Sequence, residues 1–313
     1  MNHFWIILGI SAFLISTLLG ISAACYGRAF YAPPRKKKES VNLPIGKIYE
    51  PYWEDMKSWA TAVRNMPCQE VEITSFDGLK LHGRFYEYAP GATIELMFHG
   101  YRGDSERDMP GGVQRCFKLG RSALLVDQRC AGLSQGRTIT FGVKEHRDCL
   151  AWVDFLTHHF GSDVKIILTG ISMGAATVLM AAGKPLPENV VGVIADCAYS
   201  SPKEIIQIVI RQMGLPVMLS YPFVKLAARL YGGFRLEEYS PMEAVKNASV
   251  PIIFIHGQED NFVPCRMSEK MYEICPAKKK LFTVPGAGHG LACLVDPEGY
   301  YQALREFFPE EKI

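Results

Sequence analysis

This sequence predicts a mostly parallel β-sheet flanked by helices, with a helical insertion and an N-terminal membrane-spanning helix. Three observations carry that prediction. Short runs of apolar and β-branched residues alternate with helical patterns through most of the chain. About 55 residues after Ala195 break the alternation. The chain also begins with an uncharged apolar segment.

The N-terminal segment comes first. Phe4 to Tyr26 holds no charged residue. As a helix, those 23 residues rise about 34 Å, enough to cross a hydrocarbon layer of about 30 Å. Arg28 and the tract Arg35–Lys38 follow, and no Lys or Arg precedes. The bias of positive charge toward the inner side places the N-terminus outside and the rest in the cytoplasm. A cleaved secretory signal would carry positive charge before its apolar run, where only Asn2 and His3 stand. Cleavage or lipidation stays open on Ile21-Ser22-Ala23-Ala24-Cys25, although Ser22 stands where lipidation signals usually carry Leu. The organisation expected is an anchor over residues 1–27, a basic linker over 28–45 and one catalytic domain over 46–313.

Glu70–Phe76 and Leu79–Tyr88 read as strands joined at Asp77-Gly78, a hairpin turn signal. Ile94–Phe98, Ser122–Val126, Val164–Thr169, Val190–Ala195, Ile252–Ile255 and the weaker Lys280–Val284 suit strands buried on both faces. Helical patterns lie between them at Gly112–Leu119, Lys144–His159, Met173–Ala182, Met267–Cys275 and Pro297–Phe308. An antiparallel start followed by strand–helix alternation predicts parallel pairing with helices on both faces. The interruption opens with Ser201-Pro202-Lys203-Glu204, a helix-capping box. It runs on through Ile205, Ile206, Val209, Ile210 and Met213, and then the apolar stretch Pro216–Tyr231. A helical insertion of this kind, at about residues 199–245, is expected to act as a lid over a pocket. Ile205, Ile206, Val209, Met218 and Phe223 are the expected pocket-lining residues.

Composition excludes several classes. The 34 Lys+Arg against 32 Asp+Glu give a formal charge of +2, and no basic stripe with interleaved aromatics occurs, so nucleic acid is not an expected partner. Hydrophobic residues at 48% supply a core, which excludes a disordered chain. The nine cysteines are scattered and contain no Cys-x-x-Cys, so neither a zinc ribbon nor a dithiol redox site is expected. They read as small buried hydrophobes of a reducing compartment.

The chemistry lies in Ile166-Ile167-Leu168-Thr169-Gly170-Ile171-Ser172-Met173-Gly174-Ala175-Ala176. An apolar strand runs into Gly-x-Ser-x-Gly and then into a helix of small residues, which is the context that makes the pentapeptide meaningful. The strand-to-helix turn is sharp enough to strain the serine backbone, and side chains at either glycine would collide with neighbours. Ser172 then projects above the sheet beside a helix N-terminus that favours negative charge.

A serine hydroxyl is a poor nucleophile without a base and an orienting acid. Among eight histidines, His289 sits in the loop Gly286-Ala287-Gly288-His289-Gly290, after the last strand and before the last helix. A base that reaches across the sheet belongs on such a loop. Asp260 follows the strand ending at His256 and is the expected acid; Asp196, after the preceding strand, is its competitor. The chain order Ser172, Asp260, His289 is the one required on such a sheet. The backbone N–H groups of Met173 and Tyr101 are the expected oxyanion donors. Gly100 lets the chain turn there, and His99 is read as a brace for that loop.

These pieces together resemble the α/β-hydrolase superfamily, and more narrowly the bacterial membrane-anchored, lipase- or peptidase-like hydrolases of unassigned substrate. The matching residues are Phe98-His99-Gly100, Asp127-Gln128-Arg129 with Gly132 and Ser134, Gly170 to Gly174, Ser240-Pro241, His256 to Asp260 with Val263-Pro264, and Gly288-His289. Cys130-Ala131 replace the Gly-His usual after that arginine, a change expected on a surface loop. The resemblance implies the fold, a Ser-His-Asp triad and hydrolysis of an acyl bond, and does not fix the substrate; neither cofactor nor metal is expected.

The leading expectation is therefore a serine hydrolase that cleaves a carboxylic ester or thioester through an acyl-enzyme, on a small-molecule or lipid substrate. A prolyl-oligopeptidase-like serine peptidase or amidase would use the same residues. Such enzymes usually add a propeller or another large domain, and no repeat of that period occurs. A non-catalytic binding module on this fold is the third reading, and the intact triad argues against it. A dehalogenase would carry Asp in place of Ser172.

Overall fold

The computed structural model describes residues 2–33 and 43–309. The basic tract Arg35–Lys38 lies outside them. Helix α1 (Asn2–Ala29) contains a stretch, His3–Ala29, of 27 residues long and apolar enough to cross a membrane. Its side chains from His3 to Ile21 are exposed, while α8 packs along its C-terminal part.

A 3-10 turn at Glu50–Tyr52 leads into α2 (Trp53–Arg64), which the sequence reading did not anticipate. The hairpin appears as β1 (Gln69–Thr74) and β2 (Lys80–Tyr86), antiparallel from Gln69↔Phe85 to Thr74↔Lys80. Then come β3 (Ile94–Phe98), the short α3 (Ser105–Asp108), α4 (Pro110–Lys118) and β4 (Ser122–Val126). They are followed by α5 (Glu145–Phe160), β5 (Ile166–Ile171), α6 (Met173–Ala182) and β6 (Val190–Asp196). The insertion forms α7 (Pro202–Gln212), α8 (Val217–Leu230) and the short α9 (Pro241–Ala244). The chain closes with β7 (Ile252–Gly257), α10 (Arg266–Ile274), β8 (Lys279–Val284), the short α11 (Ala292–Val295) and α12 (Pro297–Phe307).

The eight strands form one sheet in the order β1-β2-β4-β3-β5-β6-β7-β8. The pairs β1–β2 and β2–β4 are antiparallel and every later pair is parallel. Every residue of β3 and β4 is buried, as expected for strands covered on both faces. Trp152 and Leu156 of α5, Val178 and Leu179 of α6 and Met271 of α10 belong to one core cluster. Tyr300, Leu304 and Phe307 of α12 build another, and Val113 and Cys116 of α4 a third. The serine half of the capping box forms, Ser201 accepting from the N–H of Glu204, whereas the Glu204 carboxylate accepts from the Ser200 hydroxyl. Pro222 does not break α8. It sits in the second turn, where it forgoes one bond to an exposed residue, Met218.

The insertion spends its apolar face on α1. Ile205, Ile206 and Ile210 of α7 and Tyr221, Val224, Ala227 and Ala228 of α8 form one cluster with Phe30, Phe141 and Phe234. Cys25, Tyr26 and Ala29 pack against it from the end of α1. The substitution Cys130-Ala131 is buried rather than on the surface, and Cys130 holds a left-handed backbone at φ 69°, where glycine would be unstrained. All nine cysteines are free.

Candidate active site

Ser172 joins β5 to α6 with φ 55° and ψ −114°, a strained conformation for a residue with a side chain. The flanking glycines explain how the turn closes. A Cβ on Gly170 would lie 2.2 Å from the carbonyl carbon of Gly174, and one on Gly174 would lie 1.9 Å from the Phe98 carbonyl oxygen. The Ser172 N–H donates to the Asp196 carbonyl at 2.8 Å, which ties the turn to β6.

The three residues read from the sequence meet in space. His289 Nε2 lies 2.9 Å from Ser172 Oγ, and His289 Nδ1 lies 2.6 Å from Asp260 Oδ2. Asp260 Oδ1 accepts from the N–H groups of Phe262 and Val263, each at 2.8 Å, so the loop after β7 aims the carboxylate. Burial raises the Asp260 carboxyl, but hydrogen bonds from His256, His289 and the Val263 N–H outweigh it and hold the group below the ordinary carboxylate range. His256 is fully buried and helps hold Asp260, with Nδ1 2.7 Å from Ser268 Oγ and Nε2 2.8 Å from the Val263 carbonyl and 3.3 Å from Asp260 Oδ2. The nitrogen that an orienting acid would hold, His289 Nδ1, is taken by Asp260, and Oδ2 of the competing acid Asp196 accepts from Tyr300 at 3.2 Å.

The loop after β3 stands beside the serine: a Cβ on Gly100 would lie 3.7 Å from Ser172 Cβ. The Gly100 N–H is used by Asp108 Oδ2 at 3.0 Å. Among the described residues, the backbone N–H groups of Tyr101 and Met173 have no protein acceptor. His99 braces the loop as read, with Nδ1 2.8 Å from the Gly100 carbonyl and Nε2 accepting from the Gln128 N–H at 3.0 Å.

Beside Ser172 opens a cavity of about 570 Å³. None of Ile205, Ile206, Val209, Met218 and Phe223 lines it. The expectation fails because the apolar side of α7 and α8 is used up against the end of α1, while Met218 points outward at 86% exposure. The roof comes instead from Pro44–Tyr49, partly assigned to the linker, and from Met56 and Trp59 of α2. Burial, and then the neighbouring Cys197, Asp108 and Asp260, push the Tyr49 phenol above the ordinary tyrosine value, which marks its closeness to the site. The spacing of Met56, Trp59, Ala60 and Val63 was a readable sign of α2. Nothing local indicated where it docks. The floor is polar and includes Arg115, Thr169, Asp196 and Tyr300.

Cys197, Asp260 and His289 are the one group among the described residues whose ligand atoms cluster within 4.8 Å. They make a poor metal site: both imidazole nitrogens already face Ser172 and Asp260, and burial raises the Cys197 thiol well above its ordinary value.

Fold and family define a serine hydrolase of the α/β-hydrolase type. Residues 138–310, more than half of the chain, match the prolyl oligopeptidase family, and the chain belongs to that family. It is 29% identical over 190 residues to the uncharacterized protein YqkD of Bacillus subtilis, a match covering 60% of this chain and 62% of that protein. It is 24% identical over 257 residues to protein bem46 of Schizosaccharomyces pombe, covering 80% and 79%. The Pyrococcus furiosus esterase Pf2001 superposes with a TM-score of 0.65 at 24% identity, covering 87% of this chain and 98% of that one. The Pyrococcus horikoshii acylaminoacyl peptidase superposes at 0.55 and 15% identity, covering 81% and 44%.

Proposed function

We propose that the protein is a membrane-tethered carboxyl-ester hydrolase. The observation that carries this reading is the continuous relay from Asp260 through His289 to Ser172, at 2.6 and 2.9 Å, opening on the cavity. Asp260 keeps the proton on His289 Nδ1, which leaves Nε2 free to accept from Ser172. Ser172 Oγ attacks the substrate carbonyl as Nε2 takes its proton. The oxyanion that forms is met by the N–H groups of Tyr101 and Met173. Collapse expels the alcohol, which takes the proton back from Nε2. Water then repeats the sequence on the acyl-enzyme and frees the acid.

Mostly apolar walls suit an acyl chain, and the esterase of Pyrococcus furiosus is similar over nearly all its length. Peptide hydrolysis is the second reading, favoured by the prolyl oligopeptidase match. A fluorophosphonate should label Ser172 in the purified protein. Turnover is then compared on p-nitrophenyl esters from acetate to palmitate and on aminoacyl and dipeptidyl p-nitroanilides. Labelling with faster ester turnover supports the proposal. Labelling with faster anilide turnover makes the protein a peptidase.

We read α1 as an uncleaved anchor with the catalytic domain on its cytoplasmic side. Its last turns support retention: Tyr101 and Arg102 bond the carbonyls of Ala29 and Arg28, and α8 packs along the helix. Removing α1 would strip the cover from that apolar face. A reporter fused after the C-terminus should behave as cytoplasmic; activity of an external reporter there would reverse the orientation.

A further inference from the structure

We infer that the C-terminal turn of α8, with Arg229, Leu230 and Tyr231, is a foot that rests in the headgroup region of an anionic lipid bilayer. This inference rests on the reading of α1 as a membrane anchor and adds a second point of contact. The Tyr231 hydroxyl donates to the Leu19 carbonyl at 3.0 Å, and the Tyr231 ring lies 5.9 Å from that of Tyr26. The end of α8 is therefore fixed level with Leu19, ten residues before the end of α1.

Length decides what that level means. From His3 to Leu19 a helix rises only about 25 Å, which falls short of a hydrocarbon core of about 30 Å. If the bilayer surface stopped below Tyr231, the stretch from His3 would be about 5 Å short of that thickness. For α1 to span, the surface must rise past Leu19 to the neighbourhood of Ile21 and Ser22. The last turn of α8 is carried down with it.

The residues at that level suit the place. Leu230 is 52% exposed and Tyr231 41% exposed, although both are large and apolar in body. Tyrosine is enriched where membrane meets water, because its ring is apolar and its hydroxyl is polar. Near this end of the insertion Arg229 and Arg235 are exposed, whereas Lys225 further up α8 is paired with Glu237 at 2.8 Å. Exposed apolar bulk beside an exposed arginine is a composition that suits contact with anionic lipid. Ser22 is fully buried where α1 runs beside α8, and small residues of this kind let two helices approach closely at membrane depth.

The full chain, reconstituted into vesicles with spin-labelled lipids, tests this. An environment-sensitive fluorescent amino acid is placed singly at position 13 in α1, at 230, or at 270 on the exposed side of α10. The expected result is loss of fluorescence at 13 to quenchers deep in the acyl chain, loss at 230 to quenchers near the headgroup, and no loss at 270. Loss at 13 without loss at 230 overturns the foot and leaves the anchor standing. No loss at 13 overturns the anchor itself. Quenching at 230 should also weaken when phosphatidylserine vesicles are exchanged for phosphatidylcholine, and weaken further in Arg229→Gln. Equal quenching in both lipids would overturn the anionic part of the inference.

Discussion

The phenol of Tyr101 donates to the backbone carbonyl of Ala29 at 2.8 Å, which fastens the last turn of α1 to the loop beside Ser172. Carbonyls in the last turn of a helix have no partner within it. Here the catalytic domain supplies them: Arg102 adds a bond to the Arg28 carbonyl at 3.1 Å and one to Tyr31 at 2.9 Å. The same Tyr101 offers its backbone N–H toward the proposed oxyanion. The apolar helix and the catalytic loop are thus one mechanical unit.

Tyr101→Phe tests that unit. The ring stacks on Phe141 at 5.1 Å and would stay, so what is lost is the tie to Ala29 together with the bond the hydroxyl accepts from Arg102 Nε at 2.8 Å. A bond of this kind is worth about 1 kcal/mol, which is about fivefold in rate if all of it is felt at the oxyanion. The expected outcome is a fall in kcat of up to that size on an activated ester, with KM unchanged. An unchanged kcat would show that the tie serves only the helix.

The proposed triad makes the sharpest demand. Ser172→Ala or His289→Ala should lower kcat on the order of 10⁴ or more, leaving what the oxyanion donors and binding supply. Asp260→Asn should cost about 10³–10⁴, because the amide no longer holds the proton on Nδ1. Each variant is checked for folding by circular dichroism. A folded Ser172→Ala with undiminished turnover would sink the mechanism.

What was legible in the sequence, and what was not, divides by range. The parallel strands could be read because burial on both faces leaves unbroken apolar runs such as Ile94–Phe98. Ser172, Asp260 and His289 could be read because each sits in a local context that the strand ends impose. The roof over the site could not, because it depends on Trp59 docking against Gly111, where an added Cβ would lie 2.6 Å from the ring. The insertion misled for the same reason: its apolar face was visible, but its partner is α1, about 200 residues away in the chain.

The roof has a consequence for substrate choice. Trp59 and Met56 line the cavity, while Met218 does not. Trp59→Ala should open the cavity and shift the preferred ester toward longer or bulkier acyl chains, changing KM more than kcat. Met218→Ala should leave the chain-length profile where it was. The profile is kcat/KM across a p-nitrophenyl ester series; a shift with Met218→Ala and none with Trp59→Ala would return the insertion to the role of lid.

Asp196 gives the last prediction, because two of its properties pull apart. Burial pushes its carboxyl up to about 6, against the opposing influence of His256, Tyr300, Arg115 and His289. Its Oδ1 is buried without a hydrogen-bond partner among the described residues. A carboxyl raised on folding holds its proton more tightly in the native chain than in the unfolded one. Its contribution is most favourable below the ordinary carboxylate range and is lost as pH climbs through about 6; above that the native state carries a buried charge. Asp196→Asn keeps the neutral shape and removes the charge. The variant should therefore match wild type in melting temperature near pH 4 and exceed it near pH 7.5. Asp260 responds to pH in the opposite sense, but it is present in both proteins and drops out of the difference. Turnover at neutral pH should stay within about tenfold of wild type, since the orienting acid we propose is Asp260. The measurements are melting curves of both proteins across that range, with kcat/KM on one activated ester. A variant less stable than wild type at pH 7.5 would show that the charge is compensated. A folded Asp196→Asn that has lost turnover, beside an active Asp260→Asn, would exchange the roles of the two acids.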